Sequence, residues 1–488
     1  MANRIVSGLG WTTASSVVRN LVSLLQIAVL TRFLAKSDFG IIAIANLFVS
    51  FTSMFLDMGM SAGIIHKQNI SKKEYASLFW LNIMFGVGLT GILYIIAPIL
   101  TSQYDSPDLT KIVRLICFTI FLSSLGTLSR TFSQKTAMFK RMAIIETIGH
   151  LIVFAVVIIA AAKGCGAYSL AYSSLAGSII INLTYLILAV FKDKQVSFHF
   201  AFTDTLPFLK IGIYQVGSSI LDFFTRELDI IIVSATLGLE FLGVYNIAKR
   251  IPVALYSFVS PIVSRVFTPL LAEMNGNVDR IKTNYIKLSK ALSWVSFPMY
   301  LLLAALSPTV ISIVFGVDYL AGVPVMMAFC LRYAFNGVNQ VCGSLQVALG
   351  RTDIGLKWTI YLIASTAVVY YGTSLLGVNA FLCGICALTF INAFVCWIMQ
   401  FKPMAKVSFA EYVTIYSRSF IICTVLAVAV YIIYPHSSLL YSVCASIVFA
   451  PLFVILLLKS KDGREVIEVL EQFKVPYKAI SVAKKIHG

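Results

Sequence analysis

The chain has 488 residues, of which 59% are hydrophobic and 12% charged, and 38 Lys and Arg outweigh 21 Asp and Glu. Soluble domains carry about 25% charged residues, so this composition excludes a string of soluble domains and makes lipid the expected solvent. The formal net charge of +17 is spread over many short polar segments rather than gathered in one patch, so no nucleic-acid partner is expected.

Residues 1–10 hold Arg4 but no compact apolar run and no small-residue cleavage site, so the first apolar segment is expected to stay in the protein. Pro, Gly and charge clusters then separate apolar runs at 9–33, 38–65, 75–100, 110–132, 141–163, 167–191 and 207–235. Further runs follow at 240–270, 285–315, 320–348, 355–376, 379–400, 410–434 and 438–458. A helix of about 20 apolar residues crosses the ~30 Å of bilayer hydrocarbon. The pattern therefore predicts an all-α polytopic membrane protein of about 14 transmembrane helices. With the N-terminus inside, Arg4, Lys67, Lys72, Lys73, Arg130, Lys135, Lys140 and Arg141 fall on the cytoplasmic side, as do most later basic residues. Arg32, Lys36, Lys111, Arg114 and Lys163 fall outside. This asymmetry predicts an even number of spans with both termini in the cytoplasm. The longest outward connection lies near 101–111, so no extramembrane domain is expected. The tail 460–488 carries Val466, Ile467, Val469, Leu470 and Phe473, and reads either as an amphipathic helix on the inner membrane surface or as a solvated tail.

Nine cysteines are present, nearly all in apolar segments. Cys383 and Cys386 have the spacing of a metal or redox pair but lack a second pair and a nearby His. They are read as small buried residues, Cys165 is read as an unpaired loop residue, and no metal or cofactor is expected.

The segment LAKSDFGIIAIA at 34–45 and the segment LGLEFLGVYNIA at 237–248 align at an offset of 203 residues. Leu34, Gly40, Ile44 and Ala45 match Leu237, Gly243, Ile247 and Ala248, each set at the junction of a first and second helix. Six helices separate the copies, so both would enter the membrane from the same side as a parallel repeat. This predicts a six-helix lobe over 1–200, a second over 201–400, a cavity between them, and two accessory helices over 401–459.

Charges at bilayer depth are costly and face a cavity or a partner. Thr12, Ser16, Arg19, Ser23 and Gln26 recur at three- and four-residue steps and make one polar stripe on the first helix. The seventh helix holds Asp222, Arg226, Glu227 and Asp229, the eighth Lys249 and Arg250, and the tenth Arg332. Asp222 and Arg226 are four apart and can pair on one face, either as a structural pair or for transport. Asp57 on the second helix has two readings, a pairing with Arg19 or Lys249 and a role in transport. Glu146 and His150 are read as packing near the inner end of the fifth helix, and Arg418 as a snorkelling side chain. Arg19, Arg250 and Arg332 at mid-depth imply an anionic cargo, because a guanidinium is always charged and its planar fork suits phosphate. The lobes then differ in sign, with Asp222 or Asp229 available for a coupling ion.

With these residues laid out, the chain resembles the polysaccharide transporter family of the multidrug/oligosaccharidyl-lipid/polysaccharide flippase superfamily, in its colanic-acid-exporter form. The resemblance rests on Gly10 and Trp11, LTRFLAKSDFGIIAIANLF at 30–48 and DMGMSAGIIHK at 57–67. It continues in LDIIIVSATLGLEFLGVYNIAKRI at 228–251, SPIVSRVFTPLLAEM at 260–274, FGVDY at 315–319 and LQVALGRTD at 345–353. It implies a flippase of the bacterial cytoplasmic membrane, carrying undecaprenyl-diphosphate-linked oligosaccharide outward by alternating access. In such proteins arginines of the N lobe and of the eighth helix hold the diphosphate. Arg19 and Arg250 match by helix and depth, and Lys249 and Arg332 are carried with them. Membrane lipids, a polysaccharide polymerase and chain-length machinery are the partners the resemblance implies. A cation-coupled multidrug antiporter and a peptidoglycan lipid-precursor flippase share the fold. Arg19 in place of an acid on the first helix argues against cationic cargo. A membrane enzyme would need a large outward loop with catalytic groups, which the spans leave no room for.

Overall fold

The computed structural model describes residues 2–433, apart from residues 105, 194–195 and 275–277, together with residues 449 and 453. The first half comprises α1 (Ala2–Leu30), α2 (Lys36–Asp57), α3 (Met60–His66), α4 (Lys72–Thr101), α5 (Pro107–Ile116), α6 (Phe118–Lys135), α7 (Phe139–Ala162), α8 (Tyr168–Ile187) and α9 (Phe202–Thr236). There follow α10 (Gly238–Ala272), α11 (Val278–Ala305), α12 (Ser307–Val314), α13 (Val323–Ala348), α14 (Thr352–Ser374), α15 (Val378–Cys396), α16 (Lys402–Ala405) and α17 (Phe409–Ile433). Each expected span up to 410–434 coincides with one of these helices or with a broken pair of them. The span 438–458 is described only at residues 449 and 453, and the tail 460–488 lies outside the described residues.

Eleven helical segments among the described residues are long and apolar enough to cross a membrane. The 35-residue helices α9 and α10 are long enough but are not among the eleven. Their charges explain this: Asp222, Arg226, Glu227 and Asp229 interrupt α9, and Lys249 and Arg250 interrupt α10. The protein is thus an all-α, polytopic membrane protein. Its lipid-facing surface shows on α4, where Met84, Val87, Ile95 and Ile99 are all exposed.

Local chemistry sets the helix ends. Ser71 caps α4 and Glu74 reaches back to the Ser71 amide, so two orphan donors are satisfied reciprocally. The same device starts α17, with Ser408 and Glu411. The span expected at 38–65 breaks at Met58 and Gly59, both with positive φ (39° and 70°). Asp57 stabilises the break: its carboxylate accepts hydrogen bonds from the Ser61 amide at 3.2 Å and the Ser61 hydroxyl at 2.5 Å.

The chain divides into two compact units, Met1–Asn246 and Ile247–Gly488. In the first, α1 packs on α7, α6 and α7 on α8, α4 on α6, and α9 on α2, α3 and α4. Its core includes Met60, Ile64, Tyr75, Leu78, Phe79, Leu128 and Phe208. In the second, α11 packs on α13 and α17, and α15 on α13 and α14. Phe297 and Phe335 there meet edge to face at 5.1 Å. These contact units and the lobes that the repeat suggests, with a boundary at 200/201, are different divisions of the chain.

One contact inside the first unit joins the two segments that align at the offset of 203. A Cβ on Gly40 would lie 2.1 Å from the Leu239 carbonyl oxygen, and a Cβ on Gly243 would lie 1.9 Å from the Lys36 carbonyl oxygen. The starts of α2 and α10 therefore cross backbone on backbone, as small residues permit. The offset of 203 carries Lys36 to Leu239 and Gly40 to Gly243, so it maps the contact onto its own mirror half. Lys36 and Glu240 add an ion pair at 3.5 Å beside it.

Candidate functional site

The polar stripe of α1 meets α7. Ser15 is buried, 3.1 Å from the Thr147 hydroxyl and 3.5 Å from the Ala143 carbonyl. One turn on, Arg19 donates to Glu146 Oε2 and, at 3.2 Å, to the Ser16 hydroxyl. The other carboxylate oxygen of Glu146 lies 2.7 Å from Nη2 of Arg130, on α6. Glu146 is 6% exposed, and a carboxylate at that depth is tolerated only when paired. Here three helices supply the set: a carboxylate from α7 between guanidiniums from α1 and α6. His150, one turn beyond Glu146, has Nδ1 at 2.8 Å from the Glu146 carbonyl. A carbonyl only accepts, so Nδ1 carries the proton.

Small residues shape the space around this cluster. A Cβ at Gly149 would meet Ile181 at 2.5 Å, one at Gly177 would meet Val153 at 2.6 Å, and one at Gly126 would meet Asn182 at 2.4 Å. α6, α7 and α8 thus approach closely and leave a cavity of about 690 Å³ against α1. Its wall combines Arg19, Arg130, Glu146 and His150 with Thr12, Ser123, Thr127, Ser174, Ser178 and Asn182. Two guanidiniums facing one carboxylate leave an excess of one positive charge, surrounded by hydroxyl and amide groups.

The structure separates the remaining sequence candidates. Arg19 pairs with Glu146, so the Arg19–Asp57 pairing weighed from the sequence does not form, and Asp57 is bound to Ser61. Glu146 and His150, expected to be mere packing, line the cavity. Arg130, assigned from the sequence to a cytoplasmic connection, is a cavity residue on α6. Asp222 and Arg226 pair at 4.0 Å along α9, with side chains 71% and 76% exposed, so this is not a buried pair. Asp229 is buried and accepts from the Tyr245 hydroxyl at 2.6 Å and from the Ile230 amide at 2.8 Å.

In the second unit Lys249 is half-buried and Arg250 exposed. Arg332 donates to the Tyr370 hydroxyl at 2.8 Å, and its guanidinium lies 6.0 Å from the rings of Phe329 and Tyr370. Nearby on α13, Gln340 accepts from Tyr256 and donates to Ser260 at 2.7 Å, tying α13 to α10. No group of three His, Cys, Asp or Glu able to hold a metal ion occurs among the described residues. Cys383, expected to be buried, is exposed.

Residues 29–324 match a family described as "Polysaccharide biosynthesis protein". Among curated proteins, the lipopolysaccharide biosynthesis protein WzxC of Escherichia coli is 22% identical over 417 residues, covering 85% of this chain and 84% of the relative. The teichuronic acid biosynthesis protein TuaB of Bacillus subtilis is 26% identical over 376 residues, covering 77% of this chain and 76% of the relative. Among solved structures, the lipid II flippase MurJ in an inward closed conformation superposes with a TM-score of 0.71 at 13% identity, covering 92% of this chain and 98% of that one. At that identity the likeness is one of fold.

Proposed function

The chain belongs to the polysaccharide biosynthesis protein family matched over residues 29–324, and from that premise we propose that it is a flippase for undecaprenyl-diphosphate-linked oligosaccharide repeat units. It moves them across the bacterial cytoplasmic membrane by alternating access, with both termini cytoplasmic. The observation that carries this reading is the net-positive cavity lined by hydroxyl, amide and guanidinium groups of α1, α6, α7 and α8, four membrane helices. An anion in hydrocarbon faces a Born cost of tens of kcal/mol. Guanidinium groups inside the membrane remove most of that barrier, and Arg19 and Arg130 present the planar forks that fit phosphate oxygens. A membrane potential negative inside favours outward movement of an anion by about 2.3 kcal/mol per charge per 100 mV.

Arg250, Lys249 and Arg332 of the second unit are further contacts for the cargo. Asp222 is the better of the two carboxylates considered for a coupling ion, because Asp229 is committed to Tyr245. Two six-helix lobes over 1–200 and 201–400 form the moving bodies. A polysaccharide polymerase and chain-length machinery receive the product.

The test is the sidedness of the lipid-linked oligosaccharide in spheroplasts with and without the gene, read with an impermeant glycosidase or lectin. Oligosaccharide exposed only when the gene is present supports the reading. Unchanged sidedness in a strain lacking other exporters rejects it and favours a drug-transport role.

A further inference from the structure

The Arg19–Glu146–Arg130 cluster poses a question that the flippase reading leaves open. If guanidiniums inside the membrane exist to hold an anion, a resident carboxylate between them competes with that anion. Three features bear on it. First, each oxygen of Glu146 faces a different guanidinium, from α1 and from α6. A phosphate group can be bridged by two arginines in the same way. Second, the arrangement opens onto the 690 Å³ cavity, and the Arg130 side chain is 55% exposed although its partner carboxylate is almost fully buried. Third, the charged and titratable groups facing Glu146 are Arg19 on α1, Arg130 on α6 and His150 on its own helix, while α8 adds only uncharged groups to the cavity wall. No second carboxylate faces it from these helices in the cavity wall.

We infer that Glu146 is an internal stand-in for the cargo's phosphate: in the empty chain it occupies the seat between Arg19 and Arg130, and loading exchanges it for a phosphate-class anion. This rests on the flippase reading for the identity of the cargo. The exchange balances in charge and protons. The anion takes the two guanidiniums, and Glu146 takes one proton from the hydronium or buffer of the bulk solvent and becomes a neutral acid. A neutral Glu146 leaves two positive charges at the seat, matched to a doubly anionic diphosphate. Thr127 and Ser174, in the same wall, donate to backbone carbonyls and keep hydroxyl lone pairs to accept from the released acid. Loading is thereby linked to proton uptake, and an empty cavity is kept from collecting stray anions.

The test uses the full-length chain in nanodiscs, with calorimetry as readout. Inorganic pyrophosphate probes the seat at constant pH. Glu146→Gln is expected to bind it about tenfold more tightly than the wild type, since the competing charge is gone and one charge-assisted contact is worth roughly that factor. Arg130→Ala is expected to lose the binding. Sulfate, whose charge is constant between pH 8 and 6, probes the proton link. Its affinity should rise with falling pH more steeply in the wild type than in Glu146→Gln, where His150 is the remaining titratable neighbour. Glu146→Asp, too short to bridge both guanidiniums, should fall between the two and serves if the Gln variant does not fold. If Glu146 only braces three helices, the Gln variant binds no more tightly and the pH response is the same in both proteins; either result overturns the exchange. Competition by undecaprenyl diphosphate separates the two readings. Tight pyrophosphate binding without such competition keeps the seat and rejects the lipid cargo. Competition without tightening in Glu146→Gln keeps the cargo and rejects the exchange.

Discussion

Two acid–arginine constellations in the first unit use the same residue types and differ in everything else. Asp222 and Arg226 are four apart on α9, 4.0 Å from each other and largely exposed. Arg19, Arg130 and Glu146 come from three helices, and their carboxylate is 6% exposed. The first pair follows from sequence spacing alone and, at 4.0 Å along one helix, is a weak local pair. The second exists only because the helices pack as they do, and removing a partner leaves a buried charge undercompensated. Sequence spacing thus locates the weaker interaction, and tertiary packing creates the stronger one.

The sharpest way to break this contrast is Arg19→Ala. It should lower stability by about 3 kcal/mol, at the low end for a broken buried pair because Arg130 remains, and abolish export. Unfolding in detergent and the sidedness assay read the two effects, and a stable, exporting variant would place the cluster with the surface pairs. Arg19→Lys should fold but export poorly, since an ammonium cannot reproduce the bidentate fork. Next in size is Arg332→Leu, which strips a buried-ring environment of its hydrogen bond to Tyr370 and should cost about 2 kcal/mol. Tyr370→Phe should cost about 1 kcal/mol, and a double variant no worse than Arg332→Leu alone would show that the two residues act through each other. Asp222→Asn is the smallest, under about 1 kcal/mol. If Asp222 binds the coupling ion, that variant should fold normally while export in proteoliposomes loses its dependence on pH or sodium; retained dependence removes Asp222 from the mechanism.

The helices were legible because lipid demands long apolar runs, and punctuation by Pro, Gly and charge survives in the letters. α9 and α10 were legible for the same reason, although their charges dilute the apolar signal. Arg19 was legible from the stripe on α1. Arg130 was not, because it stands two residues from the end of the run 110–132 and reads with the basic connection of Lys135, Lys140 and Arg141; α6 continues to Lys135 and carries Arg130 along the cavity wall. A signal was present. Ser123, Thr127, Arg130 and Gln134 recur at three- and four-residue steps, the same pattern that marks α1. The Glu146 partnership had no local signal, since it depends on α1 lying along α7. The Arg19–Asp57 pairing fails to form for a related reason. Met58 and Gly59, next to Asp57, break the helix, and the carboxylate turns to the new helix start instead of across the bundle.

The crossing of α2 and α10 leaves few letters in the two aligned segments. Where two backbones touch, the only letter that the contact specifies is the missing side chain, at Gly40 and at Gly243. Lys36 and Leu239, which occupy equivalent places in the contact, meet the glycines through their carbonyl oxygens and are unlike in side chain. A contact of this kind is written in carbonyl positions, and comparisons that score side chains pass over most of it.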